Sequence, residues 1–142
     1  MATFKRFKDI LSWQKARELN RIIGDMIDDG KFKSSYRPIN QIKGSAGSIM
    51  DNIAEGFERS GNREFVQFLY VSKGSCGEFR SQLYRAIDRK YLSQQEFDRL
   101  YSLIMEVIIL LQKLIDYLES SALKGSKYKK RDISKNPEAA ET

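Results

Sequence analysis

Of the carboxylates in the stretch SIMDNIAEGFERSGNREF, Glu55, Glu58 and Glu64 gather about its Gly-containing turn. Paired carboxylates are the least equipment that general acid–base chemistry needs, and such a pair works only when burial raises one of the two pKa values. Arg59 stands among them, and a guanidinium at that range keeps carboxylates ionised. The stretch therefore reads as helix caps and salt bridges. Composition closes the other routes to catalysis, because the chain has no histidine. That excludes Ser-His-Asp and Cys-His nucleophiles, most zinc sites, Glu-x-x-His di-iron bundles and histidine-dependent helical ribonucleases. The single cysteine, Cys76, lies on an apolar stripe and reads as a small core residue. The expectation is no enzyme, no cofactor and no metal site.

What remains is charge. The net charge is +6, and it is unevenly spread: residues 1–121 hold 19 basic and 16 acidic side chains, residues 122–142 six and three. Such a balance suits a polyanionic partner, RNA or DNA. Two groups of residues have the right chemistry. Arg63, Tyr70, Lys73, Arg80 and Tyr84 form a lateral strip in which cations meet phosphates and tyrosine rings stack on unpaired bases. Lys124, Lys127, Lys129, Lys130 and Arg131 make a purely basic run near the C-terminus. The competing readings are a solvated face with two half-buried tyrosines and a solubilising tail. Helix three carries six basic and three acidic residues, helix four two and five, so the two also suit pairing with each other.

Those groups need elements to hold them. Only two prolines occur, Pro38 and Pro137, and the span between them favours long helices. With 41% hydrophobic and 31% charged residues the chain is globular, and its length suits one domain. Trp13, Ala16, Leu19, Ile22 or Ile23 and Met26 recur at helical spacing after Ser12, a reasonable N-cap, and Gly30 ends that helix. Ile39, Ile42, Ala46, Ile49 and Ile53 stripe a second helix that Gly56 is expected to close. Phe65, Phe68, Leu69, Ser72, Cys76, Phe79, Leu83 and Ile87 line a third, from about Asn62 to Lys90. Ser93 and Glu96 form a capping box for a fourth, whose stripe runs from Phe97 to Leu118. The pattern predicts an all-α, antiparallel up-and-down four-helix bundle over residues 1–121, followed by a flexible, disordered basic tail over 122–142.

A second column on helix two is polar. Gln41, Ser45, Ser48, Asn52 and Glu55 step by four and three, and small hydroxyls and amides suit close approach of another helix. That approach is either intramolecular packing or an oligomer interface through Gln41, Ser45, Ser48 and Asn52. Gly74 and Gly77 interrupt helix three at a cost of about 1 kcal/mol each relative to alanine, again pointing to close approach between helices or subunits.

Several segments together resemble one family. They are FKDILSWQKARELNRII, QIKGSAGSIMDNIAEGFERSGNREFVQFLYVSKGSCGEFRSQLYRAIDRKYL and the capped fourth helix. They look like bacterial four-helix-bundle proteins encoded in intervening sequences of 23S rRNA genes. The resemblance covers about residues 4–120, and its most specific parts are FKD-x3-WQKA, SI-x2-NIAEG-x2-R, EF-x2-FL and GS-x2-E. It implies a homo-oligomer, with a pentamer as the type to expect. It also implies a distant likeness to accessory proteins of diversity-generating retroelements, which bind nucleic acid and a reverse transcriptase. No catalytic residues are associated with the family. The matching residues Asn52, Glu55, Gly56, Arg59 and Glu64 build the hairpin.

The reading is a non-enzymatic oligomeric bundle that binds RNA or other nucleic acid through basic surfaces. The alternative is a protein-interaction scaffold that recruits a polymerase-type partner such as a reverse transcriptase. A lone cysteine, no secretory h-region and no apolar run of the roughly 20 residues a bilayer needs point to the cytoplasm and away from a membrane.

Overall fold

The computed structural model describes residues 4–128, with side chains to Ser121. A 3-10 turn, Phe7–Asp9, leads into α1 (Leu11–Asp28), α2 (Tyr36–Glu58), α3 (Asn62–Asp88) and α4 (Gln94–Tyr128). Each helix packs on its neighbours in the chain, and α1 also packs on α4, which closes the ring of a four-helix bundle. Cross-helix bonds show the antiparallel sense directly. Ser45 meets Gln82 while Ser48 meets Ser75, so α2 and α3 run in opposite directions. Tyr70 with Glu119 and Arg80 with Tyr101 show the same for α3 and α4.

The apolar stripes become the core. Ala16, Leu19 and Ile23 from α1, Ile42, Ala46, Ile49 and Ile53 from α2, Leu69, Cys76, Phe79 and Leu83 from α3, and Leu100, Ile104, Val107, Leu111, Leu114, Ile115 and Leu118 from α4 are fully enclosed. Removing each large side chain from water stabilises the fold by about 1.5–3 kcal/mol. Trp13, Ile22, Ile39 and Ile87 flank this core rather than fill it.

The helix ends are set by different means. Ser93 and Glu96 make the capping box, with the Glu96 backbone N–H donating to the Ser93 hydroxyl at 3.1 Å and the Ser93 N–H donating to the Glu96 carboxylate at 2.8 Å. At the C-terminus of α1, Gly30 takes a left-handed φ of 83°, and Lys31 N–H returns to the Met26 carbonyl. Lys90 does the same job after α3 with φ of 63°, and Tyr91 N–H returns to Ala86. At α1 the helix begins at Leu11 rather than after Ser12. Ile10 is the N-cap, and the preceding 3-10 turn delivers the chain into the helix with Ser12 already buried inside it.

Gly56 does not close α2. The helix continues to Glu58, and Gly56 is buried within its last turn. A Cβ there would meet the Phe68 Cβ at 2.6 Å and the Phe65 ring at 3.1 Å. Its glycine is therefore explained by the approach of α3 and not by a left-handed cap. The turn itself falls to Gly61, whose φ is 95°. At the far end α4 stays helical to Tyr128, beyond the expected boundary at residue 121. Apolar periodicity ends near Ser121, but Ala122, Leu123 and Lys124 are good helix formers, which suits a helical backbone beyond it. The expected tail residues 129–142 lie outside the described residues.

Two outcomes follow for urea denaturation. Gly24→Ala, in α1 with no atom near the added Cβ, should raise stability by about 0.5–1 kcal/mol, whereas Gly56→Ala should lower it by about 1–2 kcal/mol. Burial pushes the Cys76 thiol up to about 12, from 9.0 in an open chain. The folded thiol stays protonated where the unfolded one ionises. Its share of stability is thus intact below pH 9 and is lost progressively as pH rises from 9 towards 12. At pH 8, thiol labelling of Cys76 should proceed no faster than global unfolding, and faster labelling would contradict this burial.

Candidate nucleic-acid interface

On the outer flank of α3 two of the three cations, Lys73 and Arg80, are already occupied. The Lys73 ammonium donates to the Gln112 side-chain oxygen of α4 at 2.5 Å. Arg80 donates to the Tyr101 hydroxyl at 2.9 Å, and its guanidinium lies 5.4 Å from the centre of the same ring. That donation holds the Tyr101 phenol below its ordinary pKa. The Arg80 Nε is buried and has no partner. Tyr84 is half exposed and packs on Phe97 and Tyr101, and Tyr70 reaches Glu119. Arg63 alone of the strip's cations is exposed and outside any ion pair among the described residues. The strip thus binds α3 to α4.

The polar column of α2 faces α3. The Ser45 hydroxyl, which is buried, donates to the Gln82 side-chain oxygen at 2.5 Å, Ser48 pairs with Ser75 at 2.9 Å, and Asn52 donates to the Ser48 carbonyl and hydroxyl. Glu55 is bound by Arg59 at 2.7 Å, with Glu64 at 3.9 Å from the same guanidinium. Gln41 is the exception. Its side-chain oxygen is buried with no partner. Among the tail cations, Lys124 and Lys127 lie on the helical backbone of α4, while Lys129, Lys130 and Arg131 lie outside the described residues.

The fold assembles a further basic group that sequence distance hides. Residues 31–38 and 85–91 together hold six cations, Lys31, Lys33, Arg37, Arg85, Arg89 and Lys90, against one acid, Asp88. The antiparallel bundle brings these two segments to one end. Ser35 and Tyr91 share a hydrogen bond of 2.9 Å, and the Phe32 and Tyr91 rings lie 5.3 Å apart. The Ser35 hydroxyl, then Arg89 and Lys33, lower the Tyr91 pKa, which places both cations within electrostatic reach of it. Lys31 is bound by Glu96 at 3.1 Å. The other five make no ion pair among the described residues. The same end also holds Asp28 and Asp29 at the close of α1 and Glu96 and Asp98 at the start of α4, so the surplus of cations is local to the two joins. Between the two joins opens a cleft of about 340 Å³, lined by Phe32, Pro38, Gln41, Arg85, Arg89 and Tyr91 among others.

Among the described residues no group of carboxylates and cysteine is arranged to hold a metal ion. No helix among them is long and apolar enough to cross a membrane. The fold is an all-α four-helix bundle whose two joins at one end carry a local surplus of cations. The sequence profile of the 23S rRNA-intervening sequence protein family matches residues 8–113, most of the chain, and the protein belongs to that family. No curated protein matches it.

Arg80 and Arg63 separate a structural tie from a free cation. Arg80→Ala should lower stability by about 1–2 kcal/mol by leaving Tyr101 without its donor. Arg63→Ala should stay within about 0.5 kcal/mol. Thermal melts of the two variants check both.

Proposed function

We propose that this chain is a non-enzymatic, oligomeric bundle that binds structured RNA through its loop end. The observation that supports the reading is a set of cations without ion-pair partners among the described residues, Lys33, Arg37, Arg85, Arg89 and Lys90, on the two joins and helix ends at one end of the bundle, of which Arg85 and Arg89 line an open cleft. Unpaired cations retain their attraction for phosphates, whereas Lys73 and Arg80 are held by α4. The family's link to intervening sequences of 23S rRNA supports RNA as the polyanion.

The tail supplies a second phosphate contact through Lys124, Lys127, Lys129, Lys130 and Arg131. Self-association uses the outer face of the α2–α3 pair. There Val71 is 53% exposed, and a Cβ added at Gly44 or Gly74 would meet no atom of the chain, so neither glycine is explained by packing within it. The smooth strip beside Ser48 and Asn52 lets a second copy approach closely.

The test is an anisotropy titration with a labelled rRNA hairpin at several salt concentrations. Each phosphate contact contributes about −0.7 to −0.9 to the slope of log K against log salt. Neutralising Lys33, Arg85 and Lys90 to Gln should flatten that slope by about 2, and neutralising the five tail cations should flatten it separately. An unchanged slope in the first variant would move the site away from the loop end. Light scattering with Val71→Arg should show a smaller particle than wild type.

A further inference from the structure

The polar column of α2 is satisfied at every position but one. Ser45, Ser48 and Asn52 all find partners, while the Gln41 carboxamide oxygen is buried and unpaired where α2 borders the cleft. A buried polar group without a partner costs stability, and such an orphan beside a cavity points to a partner that arrives from outside. The cleft around it has three distinct parts. Pro38 and the almost wholly buried Phe32, Ile42 and Ala86 give it an apolar lining together with the Tyr91 ring, inclined at 43° to Phe32, and Gln82 and Asp88 also line it. Gln41 also lines the cleft, with its unpaired carboxamide oxygen buried beside it. Arg85 and Arg89 supply two guanidiniums outside any ion pair among the described residues.

A ligand that answers all three parts carries a flat ring, an in-plane N–H and an anion a short distance away. A nucleobase with its phosphate has that pattern, and either orientation of the Gln41 amide finds a complement on a base edge. A volume of about 340 Å³ is at the lower end for small-molecule sites, in keeping with one nucleotide and not several. We propose that the cleft binds a single unpaired nucleotide. The base lies against Tyr91 and Pro38 with its edge towards Gln41, and the phosphate meets Arg85 and Arg89. This rests on the reading of the protein as an RNA binder, and it adds selectivity for unpaired bases, which duplex RNA buries in its stack.

The nucleotide comes either from an RNA strand or from solution, and two arms distinguish the sources. In the first, full-length protein is titrated with a labelled RNA hairpin carrying one bulged nucleotide and with its fully paired twin. In the second, a mixture of the four nucleoside 5′-monophosphates is titrated into the protein and followed by saturation-transfer NMR. Both arms use wild type, Gln41→Leu and Arg89→Gln. The expected result is about tenfold tighter binding of the bulged hairpin, reduced to less than twofold by Gln41→Leu with the salt slope unchanged. Gln41→Leu should also melt at or above the wild-type temperature, because it removes the orphaned amide. A merely structural glutamine would melt lower when replaced. Arg89→Gln, on the exposed rim, keeps the test open if Gln41→Leu fails to fold.

Mononucleotide binding that depends on Gln41 and Arg89, with no preference for the bulge, would assign the cleft to a free nucleotide. Loss of salt-dependent binding to both hairpins would remove the RNA reading alone, and the mononucleotide arm would still decide the cleft. Wild-type behaviour of both variants in both arms would overturn the proposal.

Discussion

The bundle is organised around the distance between α2 and α3. At Gly56 the two backbones approach so closely that even a methyl group would collide with Phe68. Further along the same seam Ser72 donates to the Ile49 carbonyl at 2.7 Å and Ser48 pairs with Ser75. Small side chains allow the approach, and the approach dehydrates their hydroxyls, so each hydroxyl needs a partner across the seam. These bonds fix the axial register of α2 on α3. Register in turn decides which residues of the two outer joins face each other. Ser45 bonded to Gln82 sets the α2–α3 alignment beside the cleft, and Tyr91 and Ser35 then meet across its end.

The helices were legible because their stripes are long. A seven-turn apolar face such as that from Phe65 to Ile87 has few alternative readings, and the Ser93–Glu96 box announces its own helix start. Gly56 was misread for a physical reason. Glycine near a helix end serves equally as a left-handed cap and as a point of close contact, and only the position of Phe68 decides between them. The helical backbone of α4 runs past the point where apolar periodicity ends, because periodicity marks a buried face and helix propensity does not need one.

Charge was harder to read than fold. The strip on α3 looked like a phosphate-binding face because sequence shows which residues share a helix side but not what stands opposite. Gln112 and Tyr101 of α4 stand opposite. The loop-end group was missed for the converse reason. Lys33 and Arg89 are 56 positions apart, and Gly-Lys-Phe-Lys in a join reads as an ordinary polar connection. One signal was available: cations follow the ends of both α1 and α3, which in an antiparallel bundle fall at the same end. The apolar cleft and the orphaned Gln41 oxygen had no sequence signature at all.

The left-handed residues after α1 and α3 have a consequence for how this chain can diversify. Gly30 and Lys90 stop their helices by backbone geometry and turn the chain sharply, so the residues beyond them are not needed to hold the helices in place. Several of the groups around the cleft, Phe32, Arg89 and Tyr91 among them, come from those joins or helix ends, whereas the core sits mostly on the helices between. Mutation can therefore explore the rim's charge and shape without disturbing the core. Related chains with the same scaffold are free to differ in what they recognise, in the way that loops on a rigid frame vary in other folds.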